Sequence, residues 1–91
     1  MYNFEWYEYN ILHATRHGYT IDEAEECFDN KNLIKKKPKS MFKPEEERFY
    51  LLGRTNNNTP LFIVFKKITN YSVRVISVRL MKKEEENKYG I

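Results

Sequence analysis

A run of apolar residues, Leu61 to Phe65, constrains the fold more than any other feature of this chain. Side chains on a strand alternate between its two faces, so an unbroken apolar run predicts a strand that is covered on both sides. Two further strand candidates flank the run: Arg48–Leu52, which ends at Gly53, and Val73–Val78, which follows a turn at Thr69–Asn70. The pattern predicts a small sheet with residues 61–65 at its centre.

Helices are expected before and after these strands. Residues from about Glu8 to His17 predict a first helix, because Gly18 follows as a left-handed C-terminal cap. Thr20 and Glu23 form a capping box that begins the second helix. A short third helix is expected over residues 81–89.

The order of these elements sets the fold class. Leu33–Ile34 begins a further strand, residues 35–40 predict a charged, solvated loop, and residues 55–60 predict a turn. Helices and strands are therefore segregated. This predicts an α+β fold: a small twisted antiparallel sheet, two N-terminal helices packed on it, and a short C-terminal helix. A chain of 91 residues has room for one hydrophobic core, so residues 1–91 are expected to form a single domain.

Charge is distributed unevenly along the chain. Residues 1–30 carry seven acidic residues and one arginine, whereas residues 31–91 carry fifteen basic residues and six acidic ones. This segregation predicts a basic surface that binds a polyanion, or an acidic protein partner. The longest apolar run is far below the roughly 20 residues that span a bilayer, and the first residues show no signal-peptide pattern. A cytoplasmic protein without membrane contact is expected.

Histidine and cysteine offer little for a metal or a disulfide. His13 and His17 stand four residues apart, as zinc-binding pairs on helices do, but no third ligand is evident. Cys27 is the single cysteine, which excludes an internal disulfide and favours a small buried residue. Neither a metal site nor a cofactor is expected.

Four blocks of the sequence carry a resemblance to a known family. They are Phe4-Glu5-Trp6 with Arg16-His17-Gly18, residues 20–28, Arg48 to Thr55 in the pattern R-x-x-x-x-G-R-[ST], and Arg74 to Arg79 followed by Glu85 and Tyr89. In this order and spacing they resemble the BrnT family of ribonuclease toxins. The resemblance implies a RelE-like fold, metal-independent RNA cleavage, and neutralisation by a BrnA-like antitoxin. It also implies that operator DNA is bound only by the antitoxin and not by this chain directly.

Cleavage of RNA without a metal needs a proton acceptor, cations at the phosphate and a proton donor. His17 is the candidate acid or base, arginines are the candidate phosphate clamps, and Tyr89 is a candidate proton donor or stacking platform. Candidates for catalysis are thus His17, Arg54, Arg79 and Tyr89, and candidates for RNA phosphate binding are Arg48, Lys82 and Lys83.

Three of these residues also have a structural interpretation, and for Tyr89 it is that of a packing residue with its hydroxyl at the rim. His17 precedes a helix-capping glycine, where a histidine often serves the helix dipole. Strict alternation along the last strand puts Arg79 on one face with Val73 and Val75. Glu85 on the next helix is then the candidate structural partner, whose ion pair with Arg79 would lock that helix to the sheet.

Three departures from the family pattern favour an alternative function. Tyr7 stands where the family often has aspartate, and Thr59 replaces an arginine after the hairpin turn. The last helix carries Glu84–Glu86 where the family is usually basic. The alternative is a catalytically weak or inactive relative that binds an antitoxin-like protein or RNA.

Overall fold

Three helices and five strands form the part of the chain that the computed structural model describes, residues 2–37 and 47–90 without the side chains of residues 88 and 89. None of these helices has the length and apolar character that crossing a bilayer requires. In chain order the elements are β1 (Asn3–Phe4), α1 (Glu8–Ala14), α2 (Ile21–Asp29), β2 (Asn32–Lys36), β3 (Phe49–Arg54), β4 (Pro60–Lys67), β5 (Ser72–Leu80) and α3 (Lys83–Tyr89).

All five strands belong to one sheet with the order β1-β5-β4-β3-β2. The strand that contains residues 61–65 is therefore central, which confirms that prediction. Strands β2 to β5 pair antiparallel in sequence, but β1 pairs with β5 in parallel, with Asn3 opposite Ser72. The expectation of a purely antiparallel sheet is wrong at this edge. No hairpin joins β1 to β5, so the chain between them leaves their relative direction free.

One face of the sheet, here called the covered face, holds the core. The register places Leu51, Ile63 and Phe65 on it, all fully buried. Helix α2 packs against β3 and β4 there, with Phe28 edge-on to Phe65 at 5.0 Å between ring centroids. Helix α1 packs against β5 and contributes Ala14 to the same core.

The opposite face, here called the open face, is only partly covered. Tyr50, Phe62 and Val64 share it and are each half-buried. Leu52 on this face is fully buried. The prediction that this apolar run is covered on both sides is therefore correct for one face of β4 and only partly correct for the other.

A β-bulge changes which residues of β5 reach the open face. Val64 is opposite Ser77, but the next residue, Phe65, is opposite Val75, so Ile76 is an extra residue on β5. Beyond the bulge, Arg79 is opposite Phe62 and lies on the open face. The prediction that Arg79 shares a face with Val75 is wrong, because the extra residue shifts the alternation.

The sequence predicted the bounds of the second helix more accurately than those of the first. The capping box is confirmed: the Glu23 amide donates to Thr20 Oγ1 at 3.1 Å, and the Thr20 amide donates to Glu23 Oε1 at 2.9 Å. Helix α1 ends at Ala14 rather than near His17, and a turn leads to Gly18 at φ +95°.

The predicted loop of residues 35–40 is partly strand. Lys35 and Lys36 belong to β2, where they pair with Tyr50 and Phe49 at the edge of the sheet and are exposed. Lysines on an edge strand discourage pairing with other chains. Residues 38–40 of that predicted loop lie outside the described residues.

Candidate nucleic-acid site on the open face

Positive side chains line up across one end of the open face. Lys66 on β4 is directly opposite Arg74 on β5. Phe49 is opposite Phe65, so Arg48 stands at the level of Lys66 on the other side, and its carbonyl continues the ladder by accepting from the Lys37 amide at 2.8 Å. Three neighbouring chain segments thus each place one cation in the same row.

This row forms one wall of a hollow of about 180 Å³ between the sheet and α1. Its lining residues are Tyr9, Asn10, His13, Arg48, Lys66, Arg74, Val75 and Ile76. The bulge residue Ile76 therefore lies at the hollow, next to the cations. We refer to this feature as the His13 hollow.

Asn10 fixes α1 at the His13 hollow. Its side chain is buried, and Nδ2 donates to the carbonyls of Val75 at 3.4 Å and Glu5 at 3.3 Å, while Oδ1 accepts from the Tyr7 amide. A buried amide with all these partners holds its helix firmly in place. His13 lies three residues further on, on the same side of the helix. The Asn10 contacts therefore determine where the imidazole stands.

Arg74 is held in the row by two neighbours. Its Nη2 donates to Glu5 Oε1 at 2.9 Å, and its guanidinium lies 5.3 Å from the centroid of the Tyr7 ring. The hydrogen bond to Glu5 raises the pKa of Arg74 above its ordinary value. Among the described residues no partner accepts from its buried Nε. The side chain is thus oriented and charged, with one donor left over.

At the other end of the open face, α3 supplies carboxylates to the arginines. Arg79 makes a two-pronged bond with Glu85, Nη1 to Oε1 and Nη2 to Oε2, both at 2.9 Å. Its guanidinium also lies 4.0 Å from the centroid of the Phe62 ring. The hydrogen bond from Arg79 lowers the pKa of Glu85 below its ordinary value. The ion pair considered from the sequence is therefore present.

Arg54 follows the same pattern. Its Nη2 donates to Glu86 Oε1 at 2.8 Å, and its Nη1 donates to the Asn58 carbonyl at 3.1 Å. Arg54 lines a second hollow of about 340 Å³ beside the β3–β4 turn. Between the two ends, the rings of Tyr50 and Phe62 stack at 5.3 Å between centroids.

The structure places the predicted site residues in three different settings. Arg48, Arg54 and Arg79 all lie on the open face, at its two ends. Lys82 and Lys83 are exposed at the start of α3. Tyr89 belongs to the last turn of α3, and its side chain lies outside the described residues.

His17 is separated from the cations. It is exposed in the turn after α1 and makes no hydrogen bond through its side chain within residues 2–37 and 47–90. It lines neither hollow on the open face. A larger hollow beside Gly18, lined by Ile11, Thr15 and residues 18–22, contains none of the candidate cations. Its catalytic role stays a prediction.

Sequence reasoning missed four residues of the His13 hollow: Tyr9, His13, Lys66 and Arg74. His13 had been considered only as a zinc ligand, and the part of the chain that the structure describes holds no group of three or more potential metal ligands. Arg74 was seen only as part of a motif. The signal that could have found them is a set of polar residues that lie at the same level on neighbouring strands. Recognising that set requires the strand register, which the sequence alone does not give.

Cys27 takes no part in this chemistry. It belongs to α2 and is fully buried, and burial raises the pKa of its thiol to about 12. A thiol with so high a pKa is almost entirely protonated at neutral pH and is a poor nucleophile. Its structural interpretation agrees with this position.

Comparison with known proteins identifies the family. A family model described as the ribonuclease toxin BrnT of type II toxin–antitoxin systems matches residues 8–85. No curated protein matches the chain. The matched segment includes both helices beside the sheet, strands β2 to β5 and both ends of the open face. The resemblance seen in four sequence blocks is thereby confirmed, and the chain belongs to the BrnT family of ribonuclease toxins.

Proposed function

We propose that this protein is an endoribonuclease that binds RNA on the open face and cleaves it without a metal ion. The observation that carries the proposal is the cation row, Arg48, Lys66 and Arg74, which surrounds one hollow together with an imidazole. Such a hollow fits a phosphodiester, because guanidinium and ammonium groups bind phosphate oxygens with charge-assisted hydrogen bonds. The family's description as ribonuclease toxins supports the same activity.

The reaction fits the groups that the open face provides. A base takes the proton of the 2′-hydroxyl, which RNA has and DNA lacks. The 2′-oxygen forms a bond to phosphorus, the bond from phosphorus to the 5′-oxygen breaks, and a proton donor protonates the leaving oxygen. Fixed cations stabilise the charge that builds on the phosphorane oxygens. Arg48, Lys66 and Arg74 supply that charge, so the cycle does not require a metal.

The aromatic pair of the open face adds a site for bases. The rings of Tyr50 and Phe62 are half-buried, and they lie between the two ends of the face. Bases of single-stranded RNA stack on such rings, at roughly 1–3 kcal/mol per base. A single strand crossing the face would place a phosphate at the His13 hollow and a base near these rings.

Membership of the family supports a proposal for the partner and for the fold type. A type II system pairs its toxin with a protein antitoxin. We propose a BrnA-like DNA-binding protein in that role, with operator DNA bound only through it. Action on cellular RNA places the protein in the cytoplasm. The helix-flanked sheet with a half-open face supports a RelE-like fold.

Cleavage of a labelled RNA oligonucleotide in EDTA tests the activity. We expect a 5′ fragment that ends in a 2′,3′-cyclic phosphate, and no cut when the 2′-hydroxyl at that position is replaced by hydrogen. An Arg48→Ala, Lys66→Ala double variant, purified in the same way, controls for contaminating nucleases. If neither free RNA nor messenger RNA on translating ribosomes is cut, the proposal fails.

The second candidate function is binding without cleavage. Its supporting observation is the acidic α3, where Glu85 and Glu86 bind Arg79 and Arg54 and so compete with phosphate. An inactive relative would bind the same oligonucleotide and leave it intact in the same experiment. Retained binding with no cut product selects this alternative.

A further inference from the structure

We propose that the His13 hollow binds the scissile phosphodiester of RNA and that His13 is the general base of the reaction. This inference rests on the proposed function and makes it specific to one place on the open face. It assigns proton transfer to a different histidine from the one that the sequence pattern suggested.

The charges around the hollow point to an anionic ligand. Lys66 and Arg74 are direct cross-strand neighbours, an arrangement that is unfavourable for two like charges. Arg48 lines the same hollow from the other side. Glu5 balances part of this charge through Arg74. A phosphodiester at this hollow can accept charge-assisted hydrogen bonds from all three cations.

The position of His13 suits a proton acceptor. A neutral imidazole accepts a proton at the ring nitrogen that carries none, and histidine is the side chain most often used for general acid–base catalysis. Its ring lines the hollow beside the cations, and the side chain is exposed enough for RNA to reach it. Asn10, one turn earlier, ties this part of α1 to the Val75 carbonyl. The base and the phosphate site are therefore held together by the same strand.

The step balances without any added reactant except water. The neutral imidazole of His13 takes the 2′-hydroxyl proton while the 2′-oxygen bonds to phosphorus. The bond from phosphorus to the 5′-oxygen breaks, and water protonates that oxygen; the hydroxide left behind takes the proton from the His13 imidazolium, which restores the water and the neutral base. Arg48, Lys66 and Arg74 donate hydrogen bonds to the non-bridging oxygens, whose negative charge increases in the transition state.

Single-turnover cleavage by His13→Gln tests the base. We expect a loss of at least about 100-fold in the cleavage rate, as for removal of a general base, with the RNA dissociation constant nearly unchanged. Leu12→Gln is the matched control, since Leu12 is the exposed neighbour on the same helix. The rival base is tested by His17→Gln. Full activity of His13→Gln, or an equal loss in His17→Gln, overturns the assignment.

Binding measured apart from cleavage tests the phosphate site. The probe is the same oligonucleotide with 2′-hydrogen at the cut position, titrated at several salt concentrations. Lys66→Gln is expected to reduce the slope of log affinity against log salt by about 0.7, the value of one phosphate contact on a single strand. Lys67→Gln is the matched control, because Lys67 is adjacent and points to the other face.

The two measurements separate the possible failures. If the protein binds the probe and Lys66→Gln differs from Lys67→Gln, but RNA is never cut, the proposed function fails and His13 is no base. If RNA is cut while Lys66→Gln and Lys67→Gln behave alike, the function stands and the His13 hollow is the wrong place. Melting curves of all variants confirm that each one is folded.

Discussion

The two ends of the open face carry similar cations in opposite circumstances. At the α3 end, here the paired end, Arg79 and Arg54 are bound by Glu85 and Glu86 of the same chain. At the α1 end, here the basic end, Lys66 and Arg48 line a hollow with His13. The basic end has a carboxylate too, Glu5 on Arg74, but its cations also border a hollow that a ligand can enter.

The paired end also shows why a good phosphate ligand is not necessarily a phosphate site. A carboxylate that binds a guanidinium through two hydrogen bonds uses the same fork that a phosphate would use. RNA at this end must first displace Glu85 or Glu86. At the basic end Glu5 holds Arg74 by one hydrogen bond, whereas Glu85 holds Arg79 by two. The comparison predicts that RNA affinity depends mainly on the basic end.

The largest expected effect compares a double variant at each end. Lys66→Ala with Arg74→Ala removes two phosphate contacts, which on a single strand amounts to a loss on the order of 50-fold in RNA affinity near 50 mM salt. Arg54→Ala with Arg79→Ala should lower the affinity by less than about 3-fold, because two donors of each guanidinium are already bound within the chain. Fluorescence anisotropy with the 2′-hydrogen oligonucleotide measures both. Equal losses at the two ends would remove the distinction between them.

The next largest effect is expected from substitutions that remove the carboxylates of the paired end. Glu85→Gln with Glu86→Gln leaves Arg79 and Arg54 without their carboxylates. We expect RNA affinity to rise by about 5–10-fold at low salt, and the salt slope to steepen by up to about 1.4, because two more cations can meet phosphates. Glu84→Gln is the matched control on the same helix. An unchanged slope in the double variant would mean that bound RNA does not reach this end.

The smallest effect is on folding stability and depends on pH. The pKa of Glu85 is lowered in the folded protein, so its ion pair stabilises the fold above the ordinary glutamate pKa, about 4.3. The contribution is lost as the pH falls through the lowered pKa. Because both side chains are partly exposed, Glu85→Gln should cost only about 1 kcal/mol at pH 7.

Urea unfolding at pH 7, 5 and 3 measures this difference. Wild type and Glu85→Gln should converge at the lowest pH, where the carboxyl is protonated in both the folded and the unfolded chain. Lys36 and Glu47 form a more exposed ion pair at the far edge of the sheet, so Glu47→Gln serves as a comparison with a smaller effect. A constant gap between wild type and Glu85→Gln across the pH range contradicts the ion-pair explanation.

The sequence predicted those parts of the fold that depend on neighbouring residues. Thr20 and Glu23 cap a helix by contacts within one turn, and the short apolar run at residues 61–65 favours the central strand that the structure has. The side of β5 on which Arg79 lies was not predictable in this way. It depends on Ile76, an extra residue whose presence is apparent only when β5 is paired with β4.

The site shows the same limit. His13 and His17 look equivalent in the sequence, since residues four apart share one side of a helix only while the helix continues. Helix α1 ends at Ala14, so His17 leaves that row and His13 stays in it. The cations of the basic end come from three separate segments, and their convergence needs the strand register. The family resemblance suggested a ribonuclease activity but not this arrangement.

The parallel pairing of β1 with β5 has a consequence for synthesis of the protein. It joins Asn3 to Ser72, and Asn10 likewise needs the Val75 carbonyl, so these contacts of the N-terminal segment cannot form until the last strand exists. Such long-range closures come late in folding. A nascent chain that has not yet released β5 from the ribosome therefore lacks both His13 in position and Arg74. We expect ribosome-bound chains truncated before Ser72 to be rapidly digested by protease, and the toxin to remain harmless until its translation is nearly finished.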